Sequence, residues 1–242
     1  YGVSKSNSDL IAFLDADDLW ESNHLENLYS LYTSFPNCGL YATAYYKRFF
    51  NGKKMNAHFN GVSTDHFGVI DDYFLASTMD SIAWTSAVLI PKKTFREIGG
   101  FDEDMRSGQD TDLWVRIALK EPVAFSALAS SNKIILDPQH HLSYSSNRVD
   151  RIKLFENFKH VDTSNTSFKK YMDLNRFSVA IERKAAGDFN SYTRLKKEIN
   201  LSNLNFSQRI LLNTPSFIVG VLKQFQNALL RCNIYLSPYK KH

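Results

Sequence analysis

Apolar residues Ile11, Phe13 and Leu14 form a short run that stops at three carboxylates, Asp15, Asp17 and Asp18. The run reads as a buried strand. Side chains of an extended backbone alternate faces, so if the strand persists Asp15 and Asp17 share one side and Asp18 takes the other. Leu25, Leu28, Leu31, Tyr32 and Phe35 then recur at three and four residues, which predicts an amphipathic helix lying on the sheet. Asn23 and Glu26 stand in capping-box spacing at its start, and Pro36-Asn37 ends it. Residues 38–50, rich in Tyr, Phe and Ala, predict a strand, and Asn51-Gly52 a turn. A loop follows at 60–68. A second strand is expected over 81–90, closed by Pro91, then a short helix over 92–98 ending at Gly99-Gly100. Gly108 leads into a helix whose apolar face is Leu113, Trp114, Ile117 and Ala118, with Asp110 and Asp112 in its first turn. Two short strands, 122–128 and 133–136, complete this part, with Asp137-Pro138 as the stop.

Beyond residue 145 the pattern changes to helix throughout, over 148–158, 168–186, 191–199 and 207–232. The expectation is an α/β unit, 1–145, followed by an α-helical extension, 146–242. At 242 residues the chain can bury one sizeable core plus an appendage, and its composition is that of an ordinary globular protein.

Charge is segregated. From Arg194 onward eight Lys/Arg face Glu198 alone, a net +7 that leaves −3 for residues 1–193 of an overall +4. A basic end of this kind suits an anionic partner, a membrane surface or nucleic acid, or is simply solvated. Along it Ile210-Leu211, Phe217-Ile218, Leu222, Phe225 and Leu229-Leu230 fall largely on one helical face, interrupted at residues 213–216, too short to span a bilayer. That face either lies on a membrane or packs on the rest of the chain. Cys38 and Cys232 are too few and too far apart to staple the fold and read as free thiols in a reducing compartment. The adjacent His140-His141 lacks a helical partner or nearby Cys, so a surface loop accounts for it. Tyr1-Gly2-Val3-Ser4-Lys5 has none of the regions of a signal peptide and reads as the middle of a helix or loop.

Two carboxylates on one edge can share a hard divalent cation, which takes oxygen ligands from one or two protein acids, waters and substrate phosphates. Capping acids at a strand-to-helix turn give the same pattern. At the start of the 109–118 helix the dipole favours an ionised carboxylate, which serves a base and an ordinary cap equally.

The stretch from Ile11 to Trp20, with Leu14-Asp15-Ala16-Asp17-Asp18 at its centre, resembles the Asp-x-Asp motif of family 2 glycosyltransferases. A second segment, Gly99-Gly100-Phe101-Asp102 followed by Gly108-Gln109-Asp110, resembles the acceptor side and catalytic base of that family. The resemblance implies a partial GT-A-like mixed sheet flanked by helices. It implies hexosyl or related sugar transfer from a nucleotide-sugar donor to a saccharide or lipid-linked saccharide, in bacterial polysaccharide or glycoconjugate synthesis. Asp15, Asp17 and Asp18 are then the residues for Mg2+ or Mn2+, and Asp110 the base of an inverting displacement. Gly100, Phe101, Asp102, Gln109 and Trp114 stand on the acceptor side, with Trp114 also suited to the core. Gln109 departs from the Glu usual there. No nucleic-acid partner is expected. The expected location is cytoplasmic, with peripheral contact at the inner face of the plasma membrane through the basic tail. The resemblance also implies that a nucleotide-binding half precedes residue 1 and that this stretch alone is inactive.

Two rivals stand beside this reading. An apolar strand ending in Asp-x-Asp also marks haloacid-dehalogenase phosphohydrolases, but Leu19-Trp20 follow where that family has Thr and an apolar residue. The other rival is a non-catalytic, membrane-docking remnant.

Overall fold

A computed structural model describes residues 1–49, 52–135, 151–161 and 164–231. The chain divides into two units, Tyr1–Leu136 and Asp137–His242. The expected boundary at 145/146, His140-His141 and Asp137-Pro138 lie outside the described residues, as does Cys232.

The first unit is a seven-stranded mixed sheet with helices, the α/β architecture expected. Its strands are β1 (Leu10–Ala12), β2 (Leu19–Trp20), β3 (Leu40–Arg48), β4 (Lys54–Asn56), β5 (Phe67–Val69), β6 (Val88–Pro91) and β7 (Val123–Ile134). They run in the order β1-β6-β3-β7-β2, with β4 beside β3 and β5 beside β7. Among the described strands only β3 and β7 pair in parallel. The helices are α1 (Gly2–Lys5), α2 (His24–Ser34), α3 (Tyr73–Ala76), α4 (Lys92–Glu97) and α5 (Gln109–Ala118).

Helix α2 buries Leu28 and Leu31 against Tyr41, Leu89 and Ala124 of the sheet. Each such leucine contributes on the order of 2 kcal/mol. Leu25, expected on this face, is exposed instead, because the helix begins at His24, whose own ring turns inward. The Asn23 capping box does not form. The first-turn N–H of His24 donates to the Glu21 carbonyl at 3.1 Å instead.

Two strand expectations change. Residues 81–90 split into a 3-10 turn, Thr85–Ala87, and then β6. The two strands expected at 122–128 and 133–136 are one, β7, which keeps β3 as its partner along both halves and absorbs the mismatch in a bulge opposite Thr43 and Tyr45. The small polar residues of its middle carry no strand pattern. They are held by cross-strand and helix bonds: the Ser130 hydroxyl donates to Thr43 Oγ1 at 3.3 Å, and Asn27 Nδ2 donates to the Leu128 carbonyl at 3.1 Å.

The second unit is helical, as expected: α6 (Arg151–Asn157), α7 (Thr166–Ala185), α8 (Phe189–Glu198), α9 (Phe206–Asn213) and α10 (Ser216–Arg231). Helix α7 carries the core, burying Phe168, Tyr171, Met172, Phe177 and Ala180, with the other four packed on it. The stretch expected as 207–232 breaks between α9 and α10. Pro215 forces the preceding Thr214 out of helical geometry, to ψ 140°. Lys184 Nζ and the Tyr192 hydroxyl close the α9 end by donating to the Leu212 carbonyl, at 2.8 and 2.7 Å.

Candidate active site

The carboxylates stand on a turn rather than on an extended strand. Strand β1 stops at Ala12, and the Asp18 N–H donates to the Asp15 carbonyl at 3.1 Å, closing a turn over Asp15-Ala16-Asp17-Asp18. The expected alternation of faces therefore does not sort these side chains; the turn does. Asp15 and Asp17 are open to solvent and accept no hydrogen bond from any described residue. Asp18 points inward, buried, and both of its oxygens are engaged. Oδ2 accepts from the Ser86 hydroxyl at 2.7 Å and Oδ1 from the Ile134 N–H at 3.1 Å. Burial outweighs these bonds and raises its carboxyl to about 6.

Ser86 organises the turn from the far side of the chain. Its hydroxyl also accepts the Asp15 N–H at 2.9 Å, and its carbonyl accepts Trp20 Nε1 at 2.7 Å. Both flanks of the turn are thereby tied to one buried residue of the 3-10 segment before β6.

Helix α5 brings the second acid. Gly108, at φ 82°, adopts the left-handed geometry that starts the helix, and Asp110 lies in the first turn. Asp110 Oδ1 accepts from the Thr111 N–H at 2.7 Å and hydroxyl at 3.3 Å, which leaves Oδ2 without a described partner. Asp112, two residues on, is buried and accepts from Arg116 Nε at 2.7 Å. Arg116 in turn donates to the carbonyls of Ile98 at 2.7 Å and Gly100 at 2.6 Å, fastening the Gly99-Gly100 turn to α5. Both glycines have positive φ, and a Cβ on Gly100 would lie 2.9 Å from the Phe95 ring.

These elements converge. Partial desolvation raises the Asp15 carboxyl, and the like charges of Asp17 and Asp110 add to the rise, while Lys133 opposes it. Lys133 of β7 is half-buried, its Nζ 5.4 Å from the centre of the Trp84 ring. Burial pushes its ammonium down from the ordinary lysine range, against the pull of Asp110 and Asp18. An aromatic cluster holds the two motifs together: Phe13, just before the turn, lies 5.6 Å from Phe101 and 6.4 Å from Trp114, ring centre to ring centre. Trp114 is thus core, with its Nε1 buried and unpartnered among the described residues. Gln109 Oε1 is likewise buried without a partner. Asp102 accepts the Asp104 N–H at 3.0 Å and shapes the loop after Phe101. Gly100 and Phe101 line a cleft of about 550 Å³ with Phe13, Phe95 and α1, apart from the carboxylates.

Ser86 and Lys133 escaped the sequence reading. A serine in a strand-like run and a lysine beside Ile134 carry no motif, although a lone lysine at the head of an apolar run is the one signal available for Lys133.

Among the described residues no three His, Cys, Asp or Glu side chains converge to hold an ion alone. Asp15 and Asp17 nonetheless suit a hard cation, because two free carboxylates with a third acid nearby leave negative charge with Lys133 alone set against Asp15. The remaining ligands would be waters and substrate oxygens.

A family model, glycosyltransferase-like family 2, matches residues 1–157, which include the turn, the Gly99-Gly100 segment and α5. The chain belongs to this family. The match removes the ground for the phosphohydrolase reading, whose motif already failed at Leu19-Trp20. An uncharacterised glycosyltransferase of Rickettsia bellii (strain RML369-C) is 24% identical over 152 residues, 62% of this chain. This chain spans 21% of the length of that relative. A crystal structure of GalNAc-T7 with UDP, GalNAc and Mn2+ overlaps 97% of this chain and 44% of its own, at 14% identity and a TM-score of 0.41.

Proposed function

We infer that this glycosyltransferase moves a sugar from a nucleotide-sugar donor to a hydroxyl of a saccharide or lipid-linked saccharide, with inversion at the anomeric carbon. The observation that carries the reading is the pair of free carboxylates, Asp15 and Asp17, within the charge field of Asp110, itself half-free at a helix start. Asp15 and Asp17 would hold Mg2+ or Mn2+. Bound there, the cation supplies positive charge to the departing nucleoside diphosphate. Asp18 acts through the backbone, fixing the turn that presents its two neighbours.

Asp110 accepts the proton as the acceptor oxygen bonds to the anomeric carbon, and the bond from that carbon to the phosphate oxygen breaks with its electron pair leaving on the diphosphate. One oxygen engaged by Thr111 and one free is the arrangement a positioned base needs. Lys133 adds a cation beside the carboxylates, suited to phosphate oxygens. Gly100 and Phe101, held by Arg116, border the acceptor side.

The test is donor turnover by the full-length protein across nucleotide-sugar classes, with Mg2+ or Mn2+ and after chelation. Diphosphate release that needs the cation, with a product of inverted anomeric configuration by NMR, is expected. Cation-independent turnover or retained configuration would overturn the respective part.

A further inference from the structure

Helix α10 packs on α7 through one face, where Val219 is 2% exposed, and leaves a second apolar face uncovered. Phe217, Val221 and Phe225 recur every four residues along it and are 71%, 61% and 58% exposed. Ile218 and Leu222 flank them on the next row, also exposed. Spacing by four places each trio or pair on one line of the helix surface. On α9 Phe206 and Ile210 show the same spacing and the same exposure, while Leu212 is fully buried. Seven large apolar side chains in water are not explained by the packing of the second unit, whose core α7 already completes.

The charge of these two helices selects their occupant. Residues 199–231 contain no Asp or Glu, while α9 and α10 carry Arg209, Lys223 and Arg231. Two copies of such a segment, set face to face, would bring six cations together with no counter-charge. An anionic lipid surface meets both requirements at once, taking aromatic and aliphatic side chains at the acyl boundary and lysine and arginine among the phosphates. Crossing is ruled out for the described helices, none of which is long and apolar enough to span. The break before Pro215 separates α9 from α10, so each carries its own short apolar face.

We propose that the exposed faces of α9 and α10 dock the protein peripherally on an anionic bilayer, with Phe217, Val221 and Phe225 inserted at the acyl boundary. The proposal stands apart from the transferase reading, since none of its residues lies in the first unit.

The full-length protein is co-sedimented with vesicles of phosphatidylcholine alone and with an equimolar mixture of phosphatidylcholine and phosphatidylglycerol. Binding to the anionic vesicles is expected, weakening as salt rises from about 0.1 M to about 1 M and the screening length shrinks from ~10 to ~3 Å. Phe217→Glu/Phe225→Glu should lower partitioning by about a hundredfold, since burying each phenylalanine is worth about tenfold. Both positions face water, so the helical circular dichroism should not change. Arg209→Gln/Lys223→Gln, which leaves the apolar face whole, should weaken binding to anionic vesicles and reduce its salt dependence. No binding by the parent, or binding unchanged in the double glutamate variant, overturns the proposal. So does a concentration-dependent dimer in sedimentation velocity that the glutamate variant dissolves while vesicle binding is absent.

Discussion

The Ser86 hydroxyl donates to Asp18 Oδ2 at 2.7 Å although 68 residues separate the two in the chain. With the Asp15 N–H donating to the Ser86 hydroxyl oxygen at 2.9 Å, one buried serine fixes both ends of the acidic turn. Ser86→Ala strands a buried carboxylate oxygen and a backbone N–H together. Denaturant unfolding should show a loss of about 1–3 kcal/mol in stability, with weaker cation dependence of turnover. Unchanged stability would mean that water replaces the hydroxyl at no cost.

Asp17→Asn and Asp15→Asn should abolish divalent-dependent turnover, because an amide opposes no charge on the leaving diphosphate. Calorimetry with Mn2+ should show the same loss without substrate chemistry. Full activity in Asp17→Asn would refute the cation assignment.

Asp110→Asn keeps the bond from Thr111 within reach of its amide oxygen, so α5 should still form. Cation and donor binding should stay near normal while the chemical step slows by roughly 100-fold or more, the range of a positioned base. An equal loss of donor affinity would point to a purely structural cap.

Lys133 is the cation set against the Asp15 carboxylate. Lys133→Met should therefore raise Mn2+ affinity several-fold, by removing a like charge, and lower nucleoside-diphosphate affinity by a similar factor. Titrations of each ligand separate the two signs. Parallel losses of both would indicate local unfolding around Trp84.

His24 is fully buried, its Nδ1 2.8 Å from Ser130 Oγ and its Nε2 without a partner among the described residues. Burial lowers its imidazole from 6.5 to about 4. Between those values the unfolded chain binds the proton that the folded chain refuses, so stability falls as pH drops from about 6.5 towards 4, by up to a few kcal/mol. The His24→Gln variant, which cannot charge, should lose that part of the slope in chemical unfolding measured across this range.

Local pattern determined much of this protein. The change from α/β to helix beyond the first unit follows from periodicity. Helix α2 with Leu28 and Leu31, the left-handed Gly99-Gly100 turn and the start of α5 at Gly108 follow from residues that meet within a few positions. So does the crowding of acids at residues 15–18. Tertiary structure alone decided what those acids do. Whether Asp18 faces out with its neighbours or inward depended on Ser86 and on the Ile134 N–H, neither of them local. The continuity of β7 depended on β3 running beside both halves, since its middle has no strand pattern of its own. Lys133 reached the carboxylates by the same pairing. On α10 the sequence defined an apolar face, and packing on α7 through Val219 determined which side chains remained in water. Propensity and capping act over a turn or two of chain, whereas burial and charge act through space.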